Sequence, residues 1–140
     1  MSLEDNKALA RRAIEEIMNQ RNLAVFDELH SPDYVCHILS RTIQGPEPVK
    51  QILSMVLTAF PDLHYTFEDV FGEGDRVVVR YTSRGTHKGD LMGIPPTGKQ
   101  IAVTGIAIIR GANGKAVEVW TEADYLGMLH QLGVTFPAAS

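Results

Sequence analysis

The hydrophobic period of this chain changes once, near residue 62, and that change constrains the fold more than any other feature. Before it, apolar residues recur at helical spacing. Leu9, Ala10, Ala13, Ile14, Ile17 and Met18 form one stripe, with Arg11, Arg12, Glu15, Glu16 and Asn19 opposite. Ser2 or Asp5 is placed to cap that helix. A short second helix fits residues 23–29, broken by Ser31-Pro32-Asp33 ahead of an extended segment over 34–39. Gly45-Pro46-Glu47 opens a third, striped by Val49, Ile52, Leu53, Val56, Leu57 and Phe60, and Pro61 stops it.

After the change the period is two. Leu63, Tyr65, Phe67 and Phe71 alternate with His64, Thr66 and Glu68, the pattern of a strand with one buried face. Gly72-Glu73-Gly74-Asp75 turns into Val77-Val78-Val79-Arg80-Tyr81. A loop follows with Gly89, Gly93, Pro95, Pro96 and Gly98. Residues 101–109 are apolar on both faces, which suits a central strand, and Gly111-Ala112-Asn113-Gly114 turns into a last strand over 116–122. Short turns between the strands predict an antiparallel meander. Helices gathered at the other end of the chain predict an α+β fold with the helices on one face of a curved sheet. Such a layer leaves a tapering interior in which a small-ligand pocket is natural.

At 140 residues the chain is expected to form a single domain, residues 1–140. A net charge of −4, with Lys and Arg scattered, argues against a nucleic-acid partner. No run approaches the ~20 apolar residues of a membrane span, so no membrane partner is expected. The single Cys36 excludes an intrachain disulfide and suits a reducing, cytoplasmic setting, and the charged N-terminus does not read as a signal peptide. Flanked by Tyr34, Val35, His37 and Ile38, that thiol reads as an inert core residue. No phosphate-binding glycine loop or Gly-x-Ser-x-Gly elbow is present, and the five histidines lack metal-ligand spacing. What remains is the chemistry of isolated carboxylates and histidines beside an apolar pocket. Asp124 is placed either to cap a final helix carrying Tyr125, Met128, Leu129 and Leu132, or to serve as an acid/base group. Glu122 shares a strand face with Trp120, and reads as a solvated carboxylate or a second pocket acid. Trp120 suits the core or a substrate platform, and His37 the core or the pocket. Arg80 suits an exposed strand position or the holding of a carboxylate, and His87 the rim of a flexible loop.

A series of phrases then carries a family resemblance over residues 6–133. They include Asn19-Gln20, Pro32-Asp33-Tyr34-Val35 with His37, Gly45-Pro46-Glu47 and Ala59-Phe60-Pro61-Asp62-Leu63. Gly85-Thr86-His87, Gly93-Ile94-Pro95-Pro96-Thr97-Gly98-Lys99, Trp120 with Asp124, and Gln131-Leu132-Gly133 follow. Together they resemble the SnoaL-like polyketide (ester) cyclases. The resemblance implies the cone-shaped half-barrel shared with nuclear transport factor 2 and ketosteroid isomerase, and a homo-oligomer, here expected as a dimer. It implies an intramolecular aldol-type cyclisation of a small hydrophobic carbonyl compound with no metal or organic cofactor. Asp124 falls where the family's acid/base aspartate is expected; with His37 it forms the expected catalytic pair, and Trp120, Arg80, Glu122 and His87 are expected around the substrate. Two positions depart from the pattern. Val119 replaces a histidine common in relatives, and Ile38 stands where an acidic residue is frequent. An isomerase, an epoxide hydrolase or a non-catalytic ligand binder are the alternatives on the same fold.

Overall fold

The computed structural model describes residues 1–135. Helix α1 (Leu3–Arg12) starts at a capping box in which the Ser2 hydroxyl accepts from Asp5 N–H and the Asp5 carboxylate accepts from Ser2 N–H. It runs directly into a π-helical stretch, Ala13–Asn19. A 3-10 turn (Leu23–Val25) leads to the short α2 (Phe26–Leu29), and α3 (Pro46–Ala59) has proline in its first turn and ends ahead of Pro61.

Six strands form one sheet: β1 (His30–Ile38), β2 (Arg41–Gln44), β3 (His64–Glu73), β4 (Arg76–Thr86), β5 (Gln100–Ala112) and β6 (Lys115–Ala123). Their order is β2-β1-β6-β5-β4-β3. The expected antiparallel meander holds for β3 to β6, with β5 central. The sheet is mixed, however, because β1 lies parallel to β6. A meander pairs only strands adjacent in sequence; the strand from the N-terminal third instead enters beside the last one. The final helix, α4 (Tyr125–Gln131), follows β6 at once.

The helices cover one face, where Leu9, Ala10, Ile17, Met18, Phe26 and Phe60 are buried with Val77, Val79, Val103 and Ala107 of the sheet. Two side-chain amides fasten them. Asn19 exchanges two hydrogen bonds with the backbone of Tyr65, and Gln131 does the same with Ala102. A β-bulge between Phe67 and Asp69 corrects one expectation. One extra residue reverses the alternation, so Phe71 points outward and is 56% exposed while Val70 turns in. No helix among the described residues is long and apolar enough to cross a membrane.

Candidate functional site

Between the helices and the inner face of the sheet lies a cavity of about 170 Å³. Aliphatic side chains from α1, the π-helical stretch and α3, among them Leu9, Ile17 and Leu53, form one wall, and Ala107, Ile109 and Val119 form another. The polar groups are few: His30, Cys36 and Thr121, and the phenols of Tyr34, Tyr65, Tyr81 and Tyr125. Strand parity explains their convergence. Tyr34 and Cys36 alternate inward along β1, and Tyr81 stands opposite Gly105 on β5. A Cβ at Gly105 would overlap the Tyr81 ring and hydroxyl, so glycine there lets the phenol lie across the strand.

No hydrogen bond reaches any of the four phenol hydroxyls among the described residues. Nor are they sealed away: among the described residues the fully enclosed polar side-chain atoms without a partner are Asn6 Oδ1 and His87 Nε2. The phenol oxygens therefore keep some accessible surface, and all four tyrosines line the cavity. Burial pushes the pKa of each phenol upward, which keeps them protonated as donors. Burial also pushes the Cys36 thiol up to about 11, away from nucleophilic reactivity.

His30 is held on three sides. It stacks on Phe26 with centroids 3.8 Å apart, and Tyr34 stands edge-on at 4.6 Å. Its Nδ1 lies 2.9 Å from Phe26 O, and a carbonyl can only accept, so Nδ1 carries the proton. Burial lowers its pKa to about 4, against weaker opposition from the Phe26 carbonyl and the charge of Asp27. The ring is thus neutral near pH 7, with Nε2 a bare acceptor.

The residues singled out from the sequence lie elsewhere. Asp124 is exposed and caps α4: its carboxylate accepts from Gly127 N–H at 2.9 Å. It joins Arg80, Glu122, Thr104 and Ile106 around an open depression of about 430 Å³ on the outer face of the sheet. Arg80 is spent on Asp69, its Nε donating at 2.6 Å. His37 and Trp120 also face outward, stacked at 5.3 Å, and Arg76 covers the indole at 5.2 Å. His37 Nε2 lies 2.7 Å from Glu118, a carboxylate held below its usual pKa by His37 and then by Arg110. His87 is fully buried rather than at a rim, packed on Phe60, with Nδ1 accepting from Thr97 N–H. The outer face thus unites Arg80, Glu122 and Asp124, and separately His37 and Trp120, but none of these five side chains, nor that of His87, lines the cavity. His30 and the tyrosines do. Alternation in the sequence points to Tyr34 and Cys36 but not to His30, because the strand register slips between His30 and Val35 and Pro32 between them is exposed.

A sheet backed by helices around a small chamber, with donors and one acceptor facing inward, is the frame of a small-molecule pocket protein. The sequence pattern of the SnoaL-like polyketide cyclases matches residues 8–132, and the chain belongs to that family. The aklanonic acid methyl ester cyclase DnrD of Streptomyces peucetius is 28% identical over 134 residues, covering 92% of this chain and 91% of that one. Among solved structures, AclR, a proposed hydroxylase of Streptomyces galilaeus, has a TM-score of 0.87 at 28% identity, over 99% of this chain and 87% of that one. TsrD of Streptomyces laurentii gives 0.86 at 26% identity, over 96% and 99%.

Proposed function

We propose that the protein is a cofactor-independent enzyme of the cyclase type, catalysing proton transfer next to the carbonyl of a small hydrophobic compound held in the cavity. An intramolecular aldol-type cyclisation is the reaction this reading favours. The carrying observation is the set of four tyrosines that line an apolar chamber, their hydroxyls without a hydrogen-bond partner among the described residues. Protonated phenols in such a setting stabilise an enolate or alkoxide oxygen as charge develops, because they are already oriented and little water competes. The family relationship supports the reaction class, and the curated relative's name, an ester cyclase, supports a carbonyl substrate.

The family resemblance assigns the base to Asp124, which in this fold would meet a substrate only where it extends beyond the cavity past Tyr125. Asp124→Asn separates the two roles, since asparagine caps a helix as well as aspartate but is no base. The reading predicts turnover of cyclisable diketones by the wild type. Loss of that turnover in Asp124→Asn, with unchanged stability, would assign the base. No turnover of any diketone would favour the second reading, a non-catalytic binder, which the exposed, capping carboxylate already supports. The dimer belongs to the same proposal. Ile106, 47% exposed, shares the outer face with Trp120 amid charges of both signs, a surface suited to a second copy. Sedimentation as a monomer at micromolar concentration would remove that element.

A further inference from the structure

We propose that the cavity accepts a single six-membered ring bearing a hydroxyl or enol group, whose O–H donates to His30 Nε2. The inference deepens the cyclase reading, since it rests on the cavity being the substrate chamber, and names the ligand that chamber fits.

Size decides the first half. A cavity of about 170 Å³ is close to the ~150 Å³ apolar cavity that takes up benzene, and falls below the ~300–1,000 Å³ usual for drug-sized ligands. One ring fits it. Two fused rings exceed that volume, so part of such a ligand would lie outside the cavity, and Phe26 and Ile17 of its wall are almost completely buried.

Polarity decides the second half. His30 cannot turn its free nitrogen elsewhere, because the Nδ1 bond to Phe26 O and the stack on Phe26 lock the ring. Among the described residues no hydrogen bond reaches Nε2, although it is not a sealed atom, so the cavity presents an unused acceptor. Being neutral, that nitrogen takes a proton donor and has no charge to offer an anion. Beside it stands Tyr34, edge-on at 4.6 Å and lining the same cavity, with no hydrogen bond to its hydroxyl among the described residues. A hydroxyl is the group that both donates and accepts. The enol of a cyclic ketone and a phenol present it at one edge of a flat apolar ring. A hydrocarbon ring would displace water from Nε2 without replacing its hydrogen bond, which costs affinity.

The test uses the whole wild-type protein labelled with 15N at histidine, titrated with phenol, toluene and 1-naphthol. Phenol is expected to bind about tenfold more tightly than toluene, the gain of one net hydrogen bond to a buried acceptor. It should shift the His30 Nε2 resonance, whereas toluene should bind without that shift. 1-Naphthol should bind more weakly than phenol despite its larger apolar area. In His30→Phe, which keeps the stack on Phe26, the preference for phenol over toluene should fall to about one. Should that variant not fold, the wild-type resonance decides. Toluene binding as tightly as phenol, or phenol binding with Nε2 unmoved, would overturn the hydrogen bond. Tighter binding of 1-naphthol would overturn the size limit. These are binding readouts, so failure of diketone turnover leaves them intact, and their failure leaves the cyclase reading with another ligand.

Discussion

Acidification from pH 7 towards 4 should weaken the fold through one histidine before any carboxylate contributes. The unfolded His30 has an ordinary imidazole pKa of 6.5, and burial lowers the folded value to about 4. Between those values the unfolded chain binds a proton that the native chain refuses, so stability rises with pH across the window and falls as it is acidified. Each pKa unit is worth about 1.4 kcal/mol, giving roughly 3 kcal/mol over the full interval and about 2 kcal/mol between pH 6.5 and 5. That is a large share of a typical stability of ~5–15 kcal/mol. Glu118, Asp62 and Glu16 act later. Their folded pKa values are lowered, so their stabilisation is complete above the unfolded values near 4 and is lost only as the pH falls below them. Urea unfolding at half-unit intervals from pH 7.5 to 4.5 measures the effect, with His30→Phe as the control. The variant loses the bond to Phe26 O, a constant offset of about 1 kcal/mol, but its stability should be flatter than wild type by about 2 kcal/mol between pH 6.5 and 5. Parallel curves for the two proteins, or a native His30 ring titrating near 6.5 by NMR, would show that burial does not hold this ring neutral.

Three further outcomes follow from the same geometry. Asp124→Ala should lose about 1 kcal/mol in urea unfolding while Asp124→Asn keeps nearly full stability; equal losses would show that the carboxylate's charge, not its capping bond, matters. Gly105→Ala should displace the Tyr81 phenol and cost about 1–3 kcal/mol, read by thermal unfolding and by the Tyr81 side-chain NMR signals; an unshifted phenol would count against the close approach. Cys36, buried with its pKa raised to about 11, should react with a thiol reagent only in denaturant, and rapid labelling of the folded chain would contradict its placement.

Much of the architecture could be read from periodicity, and the errors have local causes. The stripes of the first sixty residues and the alternation after Leu63 place the main helices and the last four strands correctly because each element buries one face, but β2 is missed and β1 starts four residues earlier than expected. That logic fails at Phe71, where a single inserted residue at the bulge reverses the faces, and no local pattern announces the insertion. It also misses that β1 pairs with β6, a contact between residues about eighty apart in sequence. For the site, parity grouped Trp120 with Glu122, and both do share a face, but alternation alone does not say which face is inside. Val119 and Thr121 took the cavity. His30 went unnoticed because Pro32 ends the helical reading there, although the strand begins two residues before that proline.

The clamp of Asn19 on Tyr65 has a consequence beyond holding a helix. Strand β3 ends the sheet, and an open row of N–H and C=O groups there would invite another chain to add a strand. Asn19 occupies both exposed groups of Tyr65, Arg21 takes the neighbouring Leu63 carbonyl, and the bulge at residue 68 interrupts the row just beyond. The start of this border is thereby occupied by the protein's own N-terminal segment. The same amide that fastens a helix to the sheet removes two of the open groups with which a second chain could pair.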